Sequence, residues 1–183
     1  MTSDDKPIQS VSTRLATMTD NTLLAVVGAE TFRDTFAGDN TPEDMAIYLA
    51  GAFSPERQAQ ELADPSSRFL LAELEGEVVG YARLKFAKAP AAVQGARPME
   101  IARLYARRSW IGHGIGATLM RAAFTEAQAA GCDVVWLDVW ERNPRAIAFY
   151  ARWGFEVVGE QIFQLGSDPQ RDLLMSRRVA GTG

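Results

Sequence analysis

Residues 112–117, Gly112-His113-Gly114-Ile115-Gly116-Ala117, set three alternating glycines between an apolar strand and an amphipathic helix. Glycine lets the backbone bend sharply and lets a ligand approach where a Cβ would stand in the way. The first turn of a helix offers unpaired N–H groups and the positive end of the helix dipole. The combination describes a seat for a phosphate or pyrophosphate. Three readings compete for it. The run satisfies the dinucleotide pattern G-x-G-x-x-A, but that pattern belongs to the first βαβ unit and needs an acid about 20 residues later at a strand end. Here it falls late, and Asp133 and Asp138 lie before and inside the next strand. A triphosphate loop is excluded, because no Gly-Lys-Ser/Thr follows. A tight turn whose glycines serve packing alone is the third.

Periodicity and capping signals outline the elements that must carry this turn. Residues 11–16 read as a first strand. Asp20 is an N-cap for a helix to about Phe36, closed by Gly38. Thr41-Pro42-Glu43-Asp44 and Ser54-Pro55-Glu56 each carry a cap, a first-turn proline and acids against the dipole. Residues 67–74 and 78–86 are strand-like around Glu75-Gly76-Glu77, and Arg83 and Lys85 alternate with apolar neighbours as on a half-exposed strand. A loop at 87–98 and a strand at 100–106 precede the glycines. The next helix aligns Ile115, Leu119, Ala122, Ala123 and Ala127 and ends at Gly131. A strand at 134–139, a helix opened by Asn143-Pro144 and stopped by Gly154, and strands at 155–161 and 172–179 complete an α/β (α+β) chain with a mixed sheet flanked by helices.

The turn resembles the acetyl-CoA motif of the GNAT superfamily of N-acetyltransferases, Gln/Arg-x-x-Gly-x-Gly/Ala, with Ile111 in the first position. The segments Leu137-Asp138-Val139-Trp140-Glu141-Arg142-Asn143 and Ala146-x-x-Phe149-Tyr150-x-x-Trp153-Gly154-Phe155 resemble the second GNAT signature, in the expected order. The run Glu30 to Phe36, Ser109-Trp110 with His113, Val139-Trp140-Glu141-x-Asn143 and Gln170-Arg171-Asp172-Leu173-Leu174-Met175 are similar to PaiA-type spermidine/spermine acetyltransferases. The likeness spans roughly residues 20–179. It implies a GNAT fold whose mostly antiparallel sheet splays between strands 100–106 and 134–139. It also implies a single domain over 10–180 after a polar tail at 1–9.

Transfer of an acetyl group to an amine requires a neutral nitrogen, yet an alkylammonium has a pKa of about 10. The carbonyl needs a fixed N–H donor, and the leaving thiolate, of pKa about 8.5, needs a proton. The resemblance implies Glu100 as general base or amine anchor. It implies Tyr150 as the acid that protonates sulfur. The N–H of Leu104 polarises the acetyl carbonyl, and Ala106 pairs with the pantetheine arm as a pseudo-strand. Ile111, Gly112, His113, Gly114, Ile115, Gly116 and Ala117 seat the pyrophosphate, with the His113 N–H facing phosphate, and Asn143 holds the arm while capping its helix. Ile111 supplies no polar side-chain contact. Phe32, Phe36, Glu100, Trp140 and Glu141 are the substrate-side residues, Trp140 offering a π face and Glu141 a counter-charge to an ammonium. Glu30, Asp34, Asp39, Glu43 and Asp44 outnumber Arg33 in the first half, but capping and a solvated helix face account for four of them.

The remaining properties bound the reading. The chain has 183 residues, 47% hydrophobic and 23% charged, with a net charge of -4. This suits one globular unit and argues against a duplex nucleic-acid binder. One cysteine, Cys132, and one histidine exclude an internal disulfide and make a dedicated zinc or copper site improbable. The polar start carries no hydrophobic signal core, which places the protein in the cytoplasm by default. Exposed tryptophans and the last strands are a candidate seam for a homodimer. The expected activity is acetyl transfer from acetyl-CoA to a primary amine, with a polyamine favoured. A protein N-terminus or lysine is the alternative acceptor, and a non-catalytic CoA-binding module the alternative class. Gly114→Val is expected to abolish acetyl-CoA binding, measured by titration calorimetry; retained affinity would put the pyrophosphate elsewhere.

Overall fold

A computed structural model describes residues 10–179; the polar segment 1–9 lies outside them. Seven strands form one sheet: β1 (Ser12–Leu15), β2 (Ser67–Leu74), β3 (Glu77–Lys85), β4 (Pro98–Ala106), β5 (Val134–Trp140), β6 (Glu156–Leu165) and β7 (Asp168–Arg178). Their spatial order is β1-β2-β3-β4-β5-β7-β6. Every pairing is antiparallel except β4 with β5, which covers Pro98 with Val134, Met99 with Val135 and Glu100 with Trp136. Beyond Glu100 the two strands part, so the sheet splays between 101–106 and 137–140.

Five helices cover the sheet: α1 (Asn21–Phe36), α2 (Pro42–Ala52), α3 (Pro55–Ala63), α4 (Ile115–Ala129) and α5 (Pro144–Arg152). On one face Ile115, Leu119, Ala123 and Ala127 of α4 are buried against Leu84, Met99, Ile101, Val135 and Leu137, with α5 alongside. Ala122 flanks this stripe and is only partly buried. Each buried leucine or isoleucine is worth about 1.5–3 kcal/mol over its exposed state. On the opposite face Leu24 and Val27 of α1 pack on Phe69, Leu71 and Tyr81. Among the described residues no helix is long and apolar enough to cross a membrane.

The caps on α2 and α3 form as their sequences imply. Thr41 Oγ1 accepts from the Asp44 N–H at 3.2 Å and Ser54 Oγ from the Arg57 N–H at 3.1 Å. Asp20 does not cap α1 with its side chain. Its carboxylate accepts from both Nη atoms of Arg14 at 2.9 Å and from the Thr17 N–H at 2.7 Å, and Arg14 holds it down at a pKa of about 2. Asp44 is buried and accepts from Ser167 N–H and Oγ, at 2.6 and 2.8 Å, which pins α2 to the β6–β7 turn.

The half-exposed reading of β3 does not hold. β3 is covered on both faces, and Arg83 is only 9% exposed. Glu61 of α3, 3% exposed, makes this tolerable. Its Oε1 lies 2.8 Å from Arg83 and its Oε2 2.7 Å from Arg103 on β4, while Arg57 adds a third guanidinium at 3.1 Å. None of the four tryptophans is exposed; the exposed apolar side chains near the chain end are Val157, Val158 and Ile162 on the edge strand β6. Removing one partner from a buried ion network leaves the others uncompensated, at a cost of about 3–5 kcal/mol. Glu61→Ala is expected to lose that much in urea unfolding; an unchanged midpoint would mean the arginines find other partners.

Candidate active site

The glycine turn has the backbone its sequence demands. Gly112 and Gly114 sit at φ +87° and +81°, the left-handed region that glycine enters without strain. Gly114 ends the turn, and the first intrahelical bond of α4 runs from the Thr118 N–H to the Gly114 carbonyl at 3.0 Å. The amides of Ile115, Gly116 and Ala117 precede that bond and point out of the helix start. A Cβ on Gly114 meets nothing within 4 Å, so a side chain there is resisted by its dihedral angle and not by crowding.

β4 brings a second row of amides beside the turn. The Arg107 N–H bonds the Val79 carbonyl of β3 at 2.9 Å. Backbone direction alternates along a strand. Leu104 and Ala106 therefore turn their N–H and C=O groups the other way, toward the edge that β5 has left. Gly80 opposite Ala106 keeps β3 close, since a Cβ there would lie 2.7 Å from the Tyr105 carbonyl and from Ile115.

One cavity of about 440 Å³ runs along this split and joins the two faces of the sheet. At one end it is lined by the turn (Ile111, Gly112, Gly114, Ile115, Gly116, Ala117), by Leu104 and Ala106, and by Asn143, Arg145, Phe149, Tyr150 and Arg152 around α5. Asn143 caps α5 by accepting from the Ala146 N–H at 3.1 Å. The Tyr150 phenol, 9% exposed, has its pKa raised by burial and then by the charge of Asp138, so it stays protonated at neutral pH. Burial keeps the proton on the phenol and makes it a weaker acid than a free one.

The other end is an aromatic box. Phe32 of α1 lies 4.4 Å, centroid to centroid, from both Phe36 and Tyr48, Phe36 lies 6.0 Å from Trp140, and Tyr48 lies 5.4 Å from Phe163. Arg103, Gln170 and two carboxylates, Asp138 of β5 and Asp172 of β7, also line it. Burial raises both carboxyl pKa values, that of Asp172 to about 7 with a further push from Asp138.

Three expected site residues stand apart from this cavity. Glu100 lies outside the lining with its Oε2 3.3 Å from Lys85 Nζ; burial raises its pKa and Lys85 opposes the rise. Glu141 accepts from Arg171 Nε at 2.8 Å and is likewise outside the lining. The His113 N–H, expected to face phosphate, is donated to the Trp110 carbonyl at 3.2 Å, and its Nδ1 sits 3.3 Å from the Ile111 carbonyl. Glu30 of the acidic first half faces Arg107 at 3.8 Å instead of the cavity, while Asp34 and Asp39 border an adjoining hollow with Arg108, Arg142 and Arg145. The structure adds Tyr48, Tyr105, Phe163, Gln170, Arg145, Arg152, Asp138 and Asp172, which the sequence reading did not place in the site. A lone carboxylate inside the apolar run Val134-Val135-Trp136-Leu137-Asp138-Val139-Trp140 was the available signal.

Residues 20–155 match the acetyltransferase (GNAT) family. The chain belongs to that family. An uncharacterized N-acetyltransferase from the pepI 3′ region of Lactobacillus delbrueckii subsp. lactis is 37% identical over 153 residues, 84% of this chain and 88% of its own length. The spermidine N(1)-acetyltransferase of Thermoplasma acidophilum is 26% identical over 152 residues, 81% of this chain and 89% of its own. Among solved structures, the PaiA N-acetyltransferase of Thermoplasma acidophilum in complex with coenzyme A superposes with a TM-score of 0.74 at 23% identity, covering 92% of this chain and 99% of the other. As a GNAT enzyme the protein is an N-acetyltransferase that uses acetyl-CoA, and its splayed seven-strand sheet is the GNAT fold. The outward amides of the turn, the open β4 edge and the guanidinium groups of Arg145 and Arg152 suit a ligand with a diphosphate and an amide-bearing arm. Since the His113 amide is spent on the Trp110 carbonyl and His113 is not in the cavity lining, His113→Ala is expected to change acetyl-CoA affinity by less than about threefold, the fold-change equivalent of under 0.7 kcal/mol. A tenfold loss in a calorimetric titration would restore it to the site.

Proposed function

We propose that the protein acetylates the primary amine of a cationic small molecule by direct attack on acetyl-CoA, with a polyamine such as spermidine as the favoured acceptor. One observation carries this reading: a single cavity connects an amide-lined turn, with Tyr150 beside it, to an aromatic box with buried carboxylates. Aromatic faces and carboxylates together recognise an alkylammonium, the rings through cation–π attraction and the acids through charge. The name of the Thermoplasma acidophilum relative, a spermidine N(1)-acetyltransferase, supports the same acceptor class.

In this reading each residue has its own part. The outward amides of Ile115, Gly116 and Ala117 hold the pyrophosphate at the helix start. Ala106 pairs with the pantetheine arm on the open edge of β4, and Asn143 bonds an amide of the same arm. The Leu104 N–H holds the acetyl carbonyl oxygen as negative charge grows there. Tyr150 gives its proton to the departing sulfur. Holding amine and acetyl carbon in one narrow passage supplies the approach that a bimolecular reaction in water lacks.

The test is release of free thiol from acetyl-CoA with spermidine, with a lysine-containing peptide and with a peptide N-terminus. Release with spermidine in preference to the peptides is expected. Preference for a peptide would move the acceptor to proteins, and binding of acetyl-CoA with no release to any amine would make the chain a CoA-binding module. Tyr150→Phe is expected to lower kcat by about 10²–10⁴-fold with little change in acetyl-CoA affinity. An unchanged rate would remove the phenol from the chemistry.

A further inference from the structure

We propose that Asp172, not Glu100, receives the acceptor's ammonium and takes its proton; the assignment rests on the amine-acetylation reading above. Asp172 is 6% exposed, its Oδ1 has no hydrogen-bond partner among the described residues, and it lines the acceptor end of the cavity. A buried carboxylate left without a partner is costly. A cation entering the box removes that cost.

The sheet dictates the placement. β5 and β7 pair Trp140 with Asp172 and Asp138 with Leu174, so Asp138, Trp140 and Asp172 share one face of adjacent strands. Apart from Arg145 and Arg152, the groups that share the cavity are already committed or uncharged. Asp138 Oδ2 accepts from Gln161 Nε2 at 2.7 Å. Arg103 is turned into Glu61, with Nη1 2.7 Å from Oε2 and Nη2 3.2 Å from Oε1. Tyr48, Tyr105 and Tyr150 have pKa values raised by burial and stay neutral. Arg145 and Arg152 of α5 line the same cavity beside the glycine turn. Arg171, next in sequence, pairs with Glu141 and Glu160. Asp172 is therefore the carboxylate in the box whose side chain accepts no hydrogen bond among the described residues. Burial, with the neighbouring charge of Asp138, sets its carboxyl at about 7, the range in which a general base works best near neutral pH.

The step balances. An ammonium N–H passes its proton to the Asp172 carboxylate. The freed nitrogen lone pair forms the N–C bond to the acetyl carbon. The C–S bond breaks with its electron pair to sulfur, and Tyr150 protonates the sulfur. The proton that the new amide nitrogen sheds reaches the Tyr150 phenolate through solvent. Asp172 then releases its proton, the one net proton of the turnover.

The experiment compares wild type with Asp172→Asn, using spermidine as acceptor between pH 5.5 and 9. For wild type, kcat/KM for the amine is expected to rise through an acidic limb near pH 7. For the variant, the value at pH 8 is expected to fall by about 10²–10⁴-fold and the limb to disappear, with acetyl-CoA affinity within twofold. Stability gives a readout independent of turnover. A carboxyl whose pKa is higher folded than unfolded contributes stability at low pH that is lost as pH rises through the folded value. The melting temperature of wild type relative to Asp172→Asn should therefore fall between pH 5 and 8. A variant within threefold of wild type, a limb that survives in Asp172→Asn, or a limb that vanishes in Glu100→Gln instead would overturn the assignment. If wild type binds acetyl-CoA but acetylates no amine, it is the acetyl-transfer reading that fails, and a flat melting difference across pH would overturn the ionisation of Asp172 by itself.

Discussion

The site depends on the parting of two parallel strands. β4 and β5 bond through three residue pairs and then diverge, although both continue for several residues. A strand edge whose amides and carbonyls find no partner strand is unfavourable when buried and must be met by water or by an added chain. Here the gap is the middle of the cavity. The open edge of β4 faces it from one side and α5, carrying Tyr150, from the other. Closing the sheet would satisfy the backbone and abolish the passage between its faces.

Electrostatics divides that passage. Helix-start amides, Arg145 and Arg152 gather positive charge at the glycine-turn end. Carboxylates and aromatic rings gather at the opposite end. Arg103 would spoil the second end if its charge were free. Glu61 of α3, outside the cavity lining, pairs with it and with Arg83. Pinning of α2 to the β6–β7 turn through Asp44 and Ser167 completes the box, because it brings Tyr48 against Phe163.

Local signals were legible where local physics governs. The caps at Thr41, Ser54 and Asn143 form because a short oxygen side chain satisfies a helix-start N–H within three residues. The strand before the glycine turn and the helix after it follow from alternation, from periodicity and from glycine at positive φ. The departures are long-range. Arg83 looked half-exposed from its alternation, but its strand is central and its partner Glu61 lies 22 positions earlier. Asp20 looked like a cap, yet Arg14 on the preceding strand claims its carboxylate. Glu141 and His113 were assigned by type and neighbourhood, while Arg171 and the Trp110 carbonyl decide what they touch.

By itself the sequence determined the element order, the phosphate-type turn and the Asn143–Tyr150 helix, because each is written in contiguous residues and bonds that close over a few positions. Only the tertiary structure decided which acids line the cavity. Asp138 and Asp172 are separated by 33 residues and meet through the pairing of β5 with β7, and no spacing rule along the chain carries that register. Burial, which turns an ordinary aspartate into one poised near neutral pH, is likewise a property of the folded neighbourhood and of no residue alone.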